Sequence, residues 1–97
     1  MITLEQLQGW SKPHGIDDGK RVALENDNLI LSIVGGRPGL YGDFEKDFEL
    51  AILDKSIDEF VTKMFVTSND DVLAYQDIEK VSEIIEMLFS KTGFRVL

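Results

Sequence analysis

The sequence has no cysteine and only one histidine among its 97 residues. Without cysteine, the chain forms no disulfides, binds no metal through thiolates and has no cysteine nucleophile. This composition fits a reducing compartment. The histidine, His14, has no partner evident in the sequence for acid–base or nucleophilic chemistry, so we interpret it as a loop residue.

Long apolar runs are also missing. The longest, Leu29–Val34, is interrupted by Ser32, and it is far shorter than the roughly 20 residues that a membrane-spanning helix requires. The opening segment, MITLEQLQGW, has neither the basic patch nor the apolar core of a secretory signal. We therefore expect a cytoplasmic protein with no membrane contact.

Basic residues are scarce, because 10 Lys and Arg stand against 18 Asp and Glu and give a net charge of −8. Such a charge is repelled by the phosphates of nucleic acids and by anionic lipids. We therefore expect no direct binding to nucleic acid. A basic protein partner is compatible with this charge, although solubility alone also explains it.

The length fits one domain, residues 1–97, with no room for a second core. Thr3 and Gln6 have the spacing of a capping box at a helix start. Apolar residues then recur at every third position through Trp10, which predicts a short amphipathic helix with a buried face. This helix is expected to end near Ser11, because proline and glycine follow.

Alternation of apolar and polar residues predicts a series of strands in the middle of the chain. The four strands are Arg21–Glu25, Leu29–Val34, Asp43–Leu53 and Glu59–Val66, and Val72–Tyr75 is a candidate fifth strand. The connections between them are short and polar, which favours an antiparallel meander over parallel crossovers.

A second helix is predicted near the end of the chain. Asp77 is a good N-cap, and apolar residues from Ile78 to Phe89 recur at helical spacing. Lys91 then falls in the last turn, and Gly93 is a C-terminal stop. The predicted fold is therefore α+β, a four- or five-stranded antiparallel meander with an N-terminal and a C-terminal helix packed on one face.

The segment GGRPGLYGD, residues 35–43, is rich in glycine. A phosphate-binding loop would need a helix N-terminus after it, whereas here a predicted strand with acidic residues follows. We interpret the glycines as turn residues. The loop is longer than a usual hairpin connection and displays Arg37, Leu40 and Tyr41, which we predict as binding residues.

Acidic residues follow at every second position: Asp43, Glu45, Asp47 and Glu49. On a strand these side chains would share one face, with roughly 7 Å between neighbours. One interpretation is the solvated outer face of a two-layer domain. The other is a docking strip for a basic protein surface, so we predict these four acids as binding residues as well. A more specific version of this second interpretation is that the strip imitates the row of phosphates in DNA.

The segment SIVGGRPGLYGDFEKDFELAI, together with FVTKMF and DDVLAYQ downstream, resembles small proteins encoded in bacterial prophages and mobile gene cassettes. The shared pattern is a glycine-rich turn, then Leu-Tyr-Gly-Asp, then an alternating strand led by an aromatic residue. The resemblance implies a bacterial accessory protein that acts through a protein partner, and it supplies no catalytic residue.

Together these features favour a small acidic, non-enzymatic protein-interaction module that uses no cofactor or metal. Its partner is expected to be a basic protein or a second copy of the chain. One alternative is a DNA mimic or immunity-type inhibitor of a basic nuclease or DNA-binding protein, supported by the net charge of −8. Another is a small-ligand binder or enzyme with a site at the glycine-rich loop, lined by Tyr41, Arg37 and an acid.

Overall fold

The structure is a computed structural model that describes residues 1–15, 19–90 and 93–97. Within these residues the chain forms three helices and seven strands. In chain order they are α1 (Leu4–Gly9), β1 (Lys12–Pro13), β2 (Lys20–Glu25), β3 (Leu29–Gly35), β4 (Phe48–Asp54), β5 (Glu59–Phe60), α2 (Thr62–Phe65), β6 (Leu73–Gln76), α3 (Ile78–Phe89) and β7 (Arg95–Val96).

The centre of the fold is the antiparallel meander β2–β3–β4. A tight turn joins β2 to β3, because the Asn26 carboxamide oxygen accepts hydrogen bonds from the backbone N–H groups of Asn28 and Leu29 at 2.9 and 2.8 Å. This is the local bonding that makes asparagine a turn residue. The predicted α+β class and the antiparallel meander are confirmed.

Short strands cover both edges of this meander. On one side, β1 and β7 both pair with β2, and on the other side β5 and β6 both pair with β4. Each of these four strands has only two to four residues. Short edge strands offer little template for pairing with another chain.

Alternate residues of the central strands form one apolar cluster with the helices. The strands contribute Val22, Leu24, Leu31, Ile33, Phe48, Leu50 and Ile52, and the helices contribute Leu7, Val81, Ile84, Ile85 and Phe89. Trp10 packs against this cluster, with its ring edge-on to Phe94 at 5.7 Å, as expected for a core anchor. The placement of both helices on one face of the sheet stays a prediction.

Both predicted helix starts are confirmed. At α1, Thr3 Oγ1 accepts from the Gln6 N–H at 3.2 Å, and Gln6 Oε1 accepts from the Thr3 N–H at 2.9 Å. At α3, Asp77 accepts from the Lys80 N–H at 2.9 Å. The first helix ends at Gly9, two residues earlier than expected. The predicted C-terminal role of Lys91 lies outside the described residues.

The predicted strand Asp43–Leu53 is wrong over its first five residues, because β4 begins only at Phe48. Asp43 uses its side chain to bond the following backbone N–H groups, and this local bonding competes with a strand ladder. The next residue, Phe44, has a φ of 63°, which lies in the left-handed region.

The predicted strand Glu59–Val66 is also wrong beyond Phe60, because β5 ends there and the short helix α2 begins at Thr62. The Thr62 hydroxyl accepts from the Ile52 N–H at 2.9 Å and donates to the Asp71 carbonyl at 2.6 Å. At this position the Thr62 side chain therefore replaces the backbone hydrogen bond that a continuing strand would have made to β4. The candidate fifth strand is confirmed as β6, and the C-terminal FRVL segment contributes β7.

The helices of the described residues are short, and none is long and apolar enough to cross a membrane.

Candidate functional site

Residues 36–47, which we call the glycine–acid loop, fold back on themselves. The Gly36 N–H donates to the Gly42 carbonyl at 2.9 Å, and the Leu40 N–H donates to the Arg37 carbonyl at 3.2 Å. A Cβ atom on Gly42 would lie only 2.8 Å from Phe48 Cα. The glycine at position 42 is therefore required for close backbone packing against the start of β4, and the interpretation of these glycines as turn residues is supported.

Of the three loop residues predicted to bind a partner, only Tyr41 is well exposed, at 51 %. Leu40 is half-buried. The Arg37 side chain is half-buried too, because it lies against Gly19, where a Cβ atom would come within 2.9 Å of Arg37 Cδ. Arg37 therefore packs onto the protein, while Tyr41 extends into solvent.

The acidic half of the loop is a tight turn. The Asp43 carboxylate accepts from the N–H groups of Glu45 and Lys46, both at 2.8 Å, and from that of Asp47 at 3.3 Å. In return, the Asp47 carboxylate accepts from the Asp43 N–H at 2.9 Å. The backbone N–H groups of Glu45 and Lys46 hold the pKa of Asp43 below its ordinary value, because they bond the ionised carboxylate.

The four predicted acids do not lie in a row on one strand, since only Glu49 belongs to β4. Asp43 and Glu45 are both exposed and Asp47 is half-buried, and the carboxylates of Asp43 and Asp47 accept hydrogen bonds within the turn. Glu49 accepts a hydrogen bond from the Tyr41 N–H at 3.1 Å, so it helps to fix the loop beneath that tyrosine. The expected strand geometry is wrong, and the binding role of these acids stays a prediction.

A second tyrosine, which sequence reasoning missed, stands beside the first. The rings of Tyr41 and Tyr75 meet edge to face with their centroids 5.9 Å apart. The Tyr75 N–H also donates to the Tyr41 carbonyl at 3.0 Å. Tyr75 is 63 % exposed, so the pair presents two neighbouring aromatic rings to solvent.

The backbone of Tyr75 is strained. Its φ is 56°, and the pairing of β6 with β4 shifts register at this point. Left-handed backbone at a bulky residue costs about 1–3 kcal/mol and tends to occur at functional sites. Regular alternation along β6 would have put Tyr75 on the same face as Leu73, so the sequence carries no signal for its exposure.

An open cleft of about 350 Å³ begins at Tyr75 and continues along the first turns of α3. Its lining residues are Tyr75, Gln76, Asp77, Glu79, Lys80 and Glu83. The lining carries three acids and one lysine, and Lys80 Nζ lies 3.6 Å from the Glu83 carboxylate, so Asp77 and Glu79 leave a surplus of negative charge. We use the name tyrosine–acid surface for Tyr41, Tyr75, Asp77, Glu79 and Glu83.

Acidic side chains elsewhere in the described residues take part in local contacts. Over residues 1–15, 19–90 and 93–97, no group of three or more His, Asp or Glu side chains is placed to hold a metal ion. The pKa of Glu25 is lowered by its hydrogen bond with Lys55, and the pKa of Asp54 is lowered by its hydrogen bond from the Ser56 hydroxyl. Both shifts come from structural contacts at the surface of the fold.

Comparison of the chain with protein-family models, with curated proteins and with solved structures finds no match.

Proposed function

We propose that this protein is a non-enzymatic interaction module that binds a basic segment of another protein at the tyrosine–acid surface. The observation that carries the proposal is the pair of exposed rings, Tyr41 and Tyr75, held edge to face at 5.9 Å beside an acidic cleft. Tyrosine side chains have few rotatable bonds and therefore lose little conformational freedom on binding, which makes them effective contact residues.

The chemistry of this surface favours arginine in the partner. A guanidinium stacks on the face of a tyrosine ring, and this contact contributes about 0.5–1 kcal/mol when exposed and about 2 kcal/mol when water is excluded. The carboxylates of Glu79 and Glu83 line the adjoining cleft and are able to accept hydrogen bonds from a basic side chain. The net charge of −8 speeds the encounter with a basic surface.

The other predicted binding residues support this surface in different ways. Glu49 and Asp43 fix the loop that carries Tyr41, and Glu45 adds exposed negative charge. Arg37 packs against Gly19, and Leu40 is half-buried within the loop. We also propose that the protein is a bacterial accessory factor of the cytoplasm, in keeping with its resemblance to prophage and gene-cassette proteins.

No specific observation favours either of the two alternatives, the DNA mimic and the small-ligand site. Imitation of DNA was supported by the net charge of −8, and the regular row of acids that would have sharpened it is interrupted by the turn from Asp43 to Asp47. A ligand site at the glycine-rich loop was expected to be lined by Tyr41, Arg37 and an acid, but Arg37 packs against Gly19 whereas Tyr41 extends into solvent.

Fluorescence anisotropy with labelled peptides of equal length, rich in arginine, in lysine or in uncharged residues, tests the proposal. We expect the arginine peptide to bind best. Tyr41→Ala and Tyr75→Ala should each weaken that binding by about tenfold. Tyr75→Gly is the most informative variant, because glycine relieves the strain at φ 56° while it removes the ring.

Phe60→Ala is the matched control, since it removes an exposed aromatic ring elsewhere on the surface. Its affinity for the arginine peptide should equal that of the wild type. Equal affinities for the arginine and lysine peptides, together with no loss in either tyrosine variant, would refute the proposed site and leave only non-specific charge attraction.

A further inference from the structure

A short stretch after β4 leaves four large apolar side chains in solvent. Ile57 is 55 % exposed, Phe60 54 %, Met64 79 % and Phe65 39 %. We call these four residues the apolar edge patch. They belong to the turn before β5, to β5 itself and to α2, so they lie close together along the chain.

This exposure is built into the fold, because buried residues within the same stretch hold it in place. The Val61 N–H donates to the Ile52 carbonyl at 2.8 Å. Thr62 is fully buried, and its hydroxyl connects the Ile52 N–H to the Asp71 carbonyl. The segment is therefore fixed to β4 by its inner residues, while its large apolar side chains stay outside.

The size of the patch fits a protein–protein interface. With about 200 Å² for each whole side chain, the exposed fractions of the four residues amount to about 450 Å². A standard interface buries about 800 Å² on each partner, of which about 57–65 % is apolar. The apolar share is thus about 500 Å², close to what this patch offers.

The charged residues around the patch are complementary to one another. Asp58 and Glu59 precede Phe60, and Lys63 follows it; all three are exposed. In a two-fold symmetric dimer the same surface meets itself, so the lysine of one copy is able to face the acids of the other. The net charge of −8 on each copy opposes association, and salt screens this repulsion.

We propose that the apolar edge patch is the interface of a symmetric dimer formed by two copies of this chain. The proposal does not depend on the tyrosine–acid surface. Phe60 pairs with Leu53 towards one end of β4, whereas Gln76, which follows Tyr75, pairs with Phe48 at the other end. A dimer formed through the patch therefore carries two tyrosine–acid surfaces and is able to bind a repetitive basic partner with higher avidity.

The test is analytical ultracentrifugation of the whole chain from nanomolar to high-micromolar concentration, at low and high salt. We expect a monomer–dimer equilibrium that shifts towards dimer as salt rises. Met64→Glu should abolish the dimer without loss of folding, because Met64 is 79 % exposed. Met87→Glu adds the same charge at an exposed position on α3 and should leave the dimer intact.

A charge exchange tests the arrangement within the interface. Lys63→Glu should weaken the dimer, and the double variant Lys63→Glu/Glu59→Lys should restore it. A wild-type monomer under every condition, or a dimer that survives Met64→Glu, would overturn the proposal. A wild-type monomer would mean that the apolar edge patch does not bind a second copy of this chain. The affinity of each chain for the arginine peptide should be unchanged in Met64→Glu. The dimer proposal and the peptide-binding proposal can therefore be refuted separately.

Discussion

The segments before and after β4 make opposite use of their residues. The glycine–acid loop before it carries the most conspicuous sequence pattern, yet most of its polar groups bond one another and its glycine at position 42 packs against β4. The segment after it looks ordinary, yet it holds Met64 and Phe60 in solvent. The unusual composition of the glycine–acid loop is needed for its tight backbone conformation. The apolar surface that is free to contact a partner is formed by residues with no conspicuous sequence pattern.

The largest effect should come from filling the packed side of the glycine–acid loop. Gly42→Ala puts a methyl group 2.8 Å from Phe48 Cα and from the Asp47 carbonyl oxygen, and backbone atoms cannot move aside cheaply. We expect a loss of about 3 kcal/mol in the free energy of unfolding, measured by urea denaturation. Gly9→Ala meets nothing within 4 Å and should be neutral or stabilising. Equal stability of the two variants would show that the loop is not packed as described.

A smaller effect should follow from cutting the anchor of the segment after β4. Thr62→Val keeps the shape of the side chain but removes the hydroxyl that bonds the Ile52 N–H and the Asp71 carbonyl. Leaving these groups without their partner should cost about 2 kcal/mol in the free energy of unfolding. Thr67→Val, at an exposed position nearby, should change stability little. A neutral Thr62→Val would mean that the patch is not held out by this contact.

The smallest effect should be the pH dependence of the acidic turn. The Glu45 and Lys46 N–H groups lower the pKa of Asp43 in the folded protein. Folding therefore favours the ionised carboxylate, and this stabilisation is present above the ordinary aspartate pKa of about 3.9 and is lost as the pH falls through the lowered value.

We expect the free energy of unfolding of Asp43→Asn to fall less steeply with acidification in this range than that of the wild type. Urea denaturation at a series of acidic pH values measures it. Glu45→Gln removes the same charge from an exposed acid of the same turn and is the control. Parallel curves for wild type and Asp43→Asn would contradict the proposed role of the turn.

Features governed by neighbouring residues in the chain were predictable from the sequence. The caps of α1 and α3 depend on side chains within three residues of the helix start, and Thr3 and Asp77 act as expected. The strands β2 and β3 follow their alternating pattern. From Asp43 onwards the same alternating pattern led to a wrong prediction of a strand. Polar residues at every second position occur in a half-buried strand, but they also occur in a turn whose side chains bond its own backbone, as Asp43 does.

The candidate site depended on contacts between distant parts of the chain. Tyr75 meets Tyr41 only because β6 pairs with β4 through an irregular register and because the Tyr75 backbone turns left-handed. Thr62 ends the predicted strand through a hydrogen bond to Asp71, nine positions away. Local patterns contain neither of these partners, so they were found only in the folded structure.

The two strands that cover the outer edge of β2 become available at very different times during synthesis. β1 precedes β2 closely, whereas Arg95 of β7 meets Glu25 across 70 positions of sequence. At the usual 5–20 residues per second, a ribosome makes β2 several seconds before β7. Until β7 is made, the backbone groups at the Leu24–Glu25 end of this edge have no strand to pair with. A nascent chain is therefore open to incorrect strand pairing at this end, and the pairing of β7 removes that risk.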